Sequence, residues 1–91
     1  MAKVAVLMRI LPEDADTKPE VLLEKIKEKL PEKYSIAQYQ SEPIAFGLEA
    51  LRIIILMPED IEGGTSELEN IISSIEGISQ VDILNVGRIM E

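Results

Sequence analysis

Short apolar runs closed by proline or glycine alternate along the chain with stretches of helical period. Lys3 to Leu11 is almost wholly aliphatic and Pro12 stops it, which predicts a strand buried on at least one face. An acidic, polar segment follows. Thr17 and Glu20 have capping-box spacing and Pro19 falls in the first turn. Leu22, Leu23, Ile26 and Leu30 then repeat on one helical face as far as Pro31. The opposite face, Glu24, Lys25, Lys27, Glu28 and Lys29, mixes both signs of charge, as a solvated surface does.

Tyr34 to Glu42 sets two tyrosines and Ile36 among Gln and Ser, which predicts an exposed edge strand closed by Pro43. After the connection Ile44 to Gly47, Leu48 to Met57 is apolar apart from Glu49 and Arg52, the pattern of a central strand covered on both faces. Pro58 to Gly64 is rich in turn formers. Ser66 and Glu69 offer a second capping box ahead of Leu68, Ile71, Ile72 and Ile75, and Gly77 is placed to cap that helix at its C-terminus. Val81 to Met90 gives a fourth strand, interrupted by Asp82, Asn85 and Arg88. The order strand, helix, strand, strand, helix, strand predicts an α+β ferredoxin-like split βαβ fold. Its antiparallel four-stranded sheet has the first and third strands at the centre, two helices on one face and the other face open. The two halves show no sequence repeat.

At 91 residues with 46% apolar content, one domain spanning 1–91 is expected, with a radius of gyration of about 12 Å. The balance of 9 Lys plus Arg against 17 Asp plus Glu gives 9 − 17 = −8. That charge opposes direct nucleic-acid binding, where contacts to phosphate come chiefly from cations, and suits a basic protein partner. With no Cys and no His, thiolate nucleophiles and the usual zinc ligands are absent. Val4 to Met8 and Ile53 to Met57 fall far short of the roughly 20 residues of a membrane span, and no signal peptide is visible. A cytoplasmic protein is expected, with no membrane partner and no cofactor.

Individual motifs carry little chemistry. An RNA-recognition module would need aromatics on central strands, whereas Phe46 lies between strands and Tyr34 and Tyr39 fall on the edge strand. Glu59, Asp60 and Glu62 match no EF-hand spacing. Their place ahead of a helix N-terminus, where negative charge is favoured, accounts for them, so no metal is expected. Gly63-Gly64-Thr65 is followed by no P-loop lysine and reads as a loop-to-helix turn. Two features remain. The only Phe of the chain stands in a short connection, either as a plug tucked over the sheet end or as an anchor for a partner. Arg88 is a cation near the end of a very acidic chain, which by itself reads as a solvated strand-end residue.

At these two places the chain resembles a known family. Glu42-Pro43-Ile44-Ala45-Phe46-Gly47-Leu48-Glu49-Ala50-Leu51, the Gly63-Gly64-Thr65 turn and Val81-Asp82-Ile83-Leu84-Asn85-Val86-Gly87-Arg88-Ile89 are similar to archaeal elongation factor 1-beta and to the C-terminal catalytic domain of its eukaryotic counterpart. The similarity runs over essentially the whole chain, and the Pro-Ile-Ala-Phe-Gly-Leu core is its specific part. The resemblance implies a guanine nucleotide exchange factor, itself not an enzyme, for the GTPase that delivers aminoacyl-tRNA, elongation factor 1-alpha. It implies that Phe46, with Ile44 and Gly47 beside it, contacts the GTPase, and that Arg88 takes the catalytic place of a Lys that reaches toward the magnesium site. Arg for Lys is a departure, as are Met90 and Glu91 beyond it, because guanidinium and ammonium differ in shape and hydration. The free protein is expected to be monomeric.

The alternative is a small-molecule-binding regulatory domain of the same fold. It would need a Gly-rich turn between the first strand and helix, and Pro12 to Lys18 contains no Gly. An acylphosphatase-like enzyme would need an Arg on a loop at that place, but Arg9 lies within the strand.

Overall fold

The computed structural model describes residues 2–58 and 65–90. Six elements follow in order: β1 (Ala2–Pro12), α1 (Pro19–Lys29), β2 (Ser35–Pro43), β3 (Glu49–Pro58), α2 (Ser66–Ser73) and β4 (Ile78–Met90). The strands form one antiparallel sheet in the order β2-β3-β1-β4, so β1 and β3 are central and β2 is an edge, as the sequence pattern predicts. The radius of gyration is 12.9 Å.

The core lies between the sheet and the two helices. Val6, Met8 and Ile10 of β1 and Leu51, Ile53 and Ile55 of β3 are fully buried, together with Leu22 and Ile26 of α1 and Leu68 and Ile72 of α2. Each such side chain contributes roughly 1.5–3 kcal/mol on burial, which makes this single layer the source of stability.

Four details depart from the sequence pattern. The run Leu48 to Met57 is not covered on both faces: along β3 the fully buried residues alternate with half-buried ones. The apolar residues of the open face instead shelter one another, Ile54 opposite Leu7 and Leu56 opposite Ala5 in register. Neither capping box forms. Lys18 caps α1 and Thr65 caps α2, both without a side-chain bond; ahead of α1, Thr17 turns back to Asp14. Gly77 is not the cap of α2, which ends at Ser74. Tyr34 is not on the edge strand: it precedes β2 and is buried in the core, its hydroxyl donating to Glu67 Oε1 at 3.1 Å. In addition, β4 begins three residues earlier than the apolar pattern suggests. It accommodates Ser79 and Leu84 as extra residues where the register against β1 shifts. The expectations placed on Glu59, Asp60, Glu62, Gly63 and Gly64 lie outside the described residues.

Candidate functional site

The connection between β2 and β3 excludes one of the two readings of Phe46. Its side chain is 97% exposed, so it is no core plug. Ile44 is exposed as well. The Leu48 N–H donates to the Ala45 carbonyl at 2.9 Å, closing a β-turn whose two central residues, Phe46 (φ 56°) and Gly47 (φ 78°), both have positive φ. Positive φ at both positions defines the type I′ turn, for which Asn-Gly and Gly-Gly are the favoured pairs. A second bond, Ile44 N–H to the Leu48 carbonyl at 3.0 Å, braces the base. Gly47 meets the conformational demand at no cost. Phe46 does not: a bulky residue at positive φ costs roughly 1–2 kcal/mol. Among the described residues it is the only non-glycine with positive φ. Folding of the free domain accounts for neither this backbone strain nor the full exposure of the aromatic ring.

Arg88 stands on β4 opposite Val4 of β1 and is exposed. The Phe46 turn lies beyond the pairing of Ile10 with Leu51. The stretch of β1 from Val4 to Ile10 alone spans about 20 Å at the usual strand rise. The fold therefore does not bring Phe46 and Arg88 into one pocket. It sets them toward opposite ends of a molecule 41 Å long.

Between them, the open sheet face carries a charged row. Arg9 and Arg52 sit directly opposite each other on the central strands. Glu42 lies 3.2 Å from Arg52 and 3.7 Å from Arg9, and Asp82 lies 3.6 Å from Arg9. Two cations and two carboxylates neutralise one another across all four strands. A concavity of about 220 Å³ beside this row is lined by Leu7, Gln38, Tyr39, Gln40, Arg52 and Ile54. On the helix side, Lys33 Nζ lies 2.8 Å from Glu67 Oε1, and this contact holds Glu67 below the ordinary carboxylate range and raises Lys33. Burial, followed by the bond to Glu67, pushes the Tyr34 hydroxyl up.

The sequence reading missed the turn that Asp14 closes between β1 and α1. Asp14 Oδ1 accepts from the Asp16 N–H at 3.0 Å, the Thr17 N–H at 3.1 Å and the Thr17 hydroxyl at 3.0 Å. The signal was present, since Asp followed three residues later by Thr is an Asx-turn pattern as readily as a capping box is signalled by Thr17 and Glu20.

The site is thus an aromatic ring held out on a strained turn of a small acidic domain of ferredoxin-like fold. No helix among the described residues is long and apolar enough to cross a membrane. Comparison with known proteins gives the module its family. The sequence profile of the EF-1 guanine nucleotide exchange domain matches residues 5–89. The chain is 70% identical over 88 residues to "Elongation factor 1-beta" of Thermofilum pendens, covering 97% of each. It is 56% identical to that of Staphylothermus marinus, covering 98% of this chain and 99% of that one, and 48% identical to that of Aeropyrum pernix, covering 97% and 98%. The chain belongs to the EF-1 guanine nucleotide exchange family, and its role is nucleotide exchange in translation elongation. Solved structures similar in fold include the C-terminal domain of MgtC from Mycobacterium tuberculosis (TM-score 0.58, 13% identity, 90% of this chain and 85% of that one). Another is LarC2, the C-terminal domain of a cyclometallase (TM-score 0.63, 11% identity, 99% and 58%). At these identities the likeness speaks for the fold alone.

Proposed function

We propose that residues 1–91 act as a single exchange domain on elongation factor 1-alpha, in the cytoplasm, as a monomer when free and with no cofactor of its own. The observation that carries this reading is the fully exposed Phe46 on its positive-φ turn. In it, Phe46 is the docking anchor, flanked by Ile44 and shaped by Gly47, and Arg88 is the catalytic group at the far end.

A GTPase holds its nucleotide partly through a magnesium ion that bridges the phosphates. A cation brought up beside that ion competes with it electrostatically and loosens both metal and nucleotide. Arg88 supplies that cation. Phe46 supplies binding energy at a distance of more than about 20 Å along the sheet, and the sheet acts as a rigid spacer that delivers Arg88 once Phe46 is seated. The net charge of −8 speeds encounter with a basic GTPase surface. Coupling is reciprocal: if the factor weakens nucleotide binding, nucleotide weakens binding of the factor to the same extent, so the factor leaves when new nucleotide enters.

GDP release from elongation factor 1-alpha, titrated with this protein at several magnesium concentrations, tests the reading. Phe46→Ala should raise the half-saturating concentration by an amount equivalent to about 2–4 kcal/mol, the usual worth of an aromatic anchor. Arg88→Ala should lower the plateau rate by an amount equivalent to about 1.5–3 kcal/mol, because its contact forms mainly as the metal is displaced. Arg88→Lys should keep most of the rate. If Arg88→Ala releases GDP as fast as the unaltered protein, the cation has no part in exchange.

A further inference from the structure

The edge strand that leads into the Phe46 turn is held to the domain by few side chains. β2 pairs with β3 alone, and of its nine residues only Ile36 and Glu42 are not exposed. Ile36 packs against the core at one end of the strand. Glu42 stands at the other end, two residues before Ile44, whose N–H braces the base of the turn. Pro43 between them has no N–H to add to the ladder.

Two arginines shelter Glu42. Its Oε1 accepts from Arg52 Nη1 at 3.2 Å, a bond that joins the two arms of the hairpin carrying Phe46. Its Oε2 lies 3.7 Å from Arg9 Nη1 on β1, a strand that does not neighbour β2, so the side chain reaches across β3 to the next strand. Arg9 and Arg52 are directly opposite each other, and like charges so placed repel. The Nε of each is shielded from solvent and has no hydrogen-bond partner, so water does little to relieve that repulsion. One carboxylate shared by two cations offsets it. An isolated exposed ion pair contributes little, whereas charges joined in a network hold their geometry better.

We propose that Glu42 is a positioning residue for exchange: it fastens the Phe46 end of the edge strand to both central strands, so that the turn meets the GTPase already set on the sheet. This rests on the reading of Phe46 as the docking anchor. A strand end free to fray would have to be ordered on binding, and that cost would weaken docking. Glu42 acts through the hairpin arms that it joins and not on the nucleotide.

Two measurements on the full chain test it. In the GDP-release titration, Glu42→Met, which keeps the bulk and removes the acceptor, should raise the half-saturating concentration roughly 3- to 10-fold and change the plateau rate much less. Arg52→Met keeps the carboxylate and removes its donor, and it should weaken docking to a similar extent. The double variant should be no worse than either single one, as residues acting through one contact require. Independently of any partner, amide hydrogen exchange should show Ile44 losing protection in both variants while Val6 in the core keeps its own. The proposal is overturned if Glu42→Met leaves half-saturation unchanged, or if Ile44 and Val6 speed up together, which marks general destabilisation. It is also overturned if Arg52→Met docks as well as the unaltered protein, which would mean that the Glu42 carboxylate meets the partner by its charge. The underlying reading fails separately: an unchanged half-saturation in Phe46→Ala would remove Phe46 as anchor, whereas loss in Phe46→Ala with none in Glu42→Met removes only this inference.

Discussion

Two turns of the molecule are built on opposite terms. The turn into β4 places Gly77 at φ 99°, where glycine is the residue that fits, and ties it to Glu13 by two hydrogen bonds. Lys25 Nζ crosses from α1 to bond the neighbouring Glu76 carbonyl at 2.9 Å. Everything there serves the fold. The turn between β2 and β3 demands the same region of backbone space at Phe46, yet fills it with a residue that this region penalises and that buries nothing in the free protein. The difference separates a turn whose residue fits its backbone from one whose residue carries a conformational penalty and buries nothing in the free domain, the feature on which the proposed anchor role rests.

The largest expected effect on stability comes from destroying the first turn. Gly77→Ala forces a side chain into positive φ, and its methyl would lie 3.3 Å from Lys25 Nζ, so the lysine would also have to shift. A loss of about 1–2 kcal/mol is expected from the backbone alone. For a domain of this size that corresponds to a fall of roughly 4–16 °C in melting temperature. Exchange measured well below that temperature should be nearly unchanged. A Gly77→Ala protein as stable as the original would show that the turn relaxes, and the contrast with Phe46 would lose its basis.

Relieving the second turn should do the reverse. Phe46→Asn creates Asn-Gly, the favoured type I′ pair, and removes a ring that makes no core contact. Stability should rise by about 1 kcal/mol while docking to the GTPase collapses. Thermal unfolding and the GDP-release titration, run on the same preparation, decide it. A fall in stability would mean that the ring packs against the domain after all.

This contrast also marks how far the sequence could be read. Element order, sheet topology and core were legible because period and β-branched content act locally, and Val6, Met8, Ile53 and Ile55 are buried as their pattern predicts. The Phe46 segment stood out as an apolar connection, but its strain could not be seen, since φ follows from the closure of two strands and not from the residue itself. The separation of Phe46 from Arg88 was likewise invisible until register placed Val4 opposite Arg88 and Ile10 opposite Leu51. Capping was misread at both helices. At α1, Asp14 holds the N–H and hydroxyl of Thr17 in a turn of its own and Lys18 takes the cap position, while α2 takes Ser66 inside the helix and leaves Thr65 at its cap.

The smallest effect concerns the attachment of α2, the helix that leads into the Gly77 turn. Glu67 near its start meets Lys33 at 2.8 Å and accepts from the Tyr34 hydroxyl. Glu67→Gln removes the charge and leaves an oxygen for Tyr34, so it isolates the ion pair. Both charged groups are well exposed, and such pairs contribute little. Their pH signature is nevertheless definite. Glu67 is held below its ordinary value, chiefly by the hydrogen bond with Lys33, so its contribution is present above the unfolded carboxylate range near about 4.3 and is lost as pH falls through the depressed value. Lys33 is raised chiefly by the same bond, so its contribution is present below about 10.4 and is lost as pH rises through the raised value. The difference in melting temperature between the unaltered protein and Glu67→Gln should therefore be small and flat from about pH 5.5 to 9 and close on the acid side below about pH 4. It should also shrink with added salt, which screens exposed charges. A difference that stays constant down to pH 3 would assign the whole effect to packing around Tyr34 and none to the ion pair.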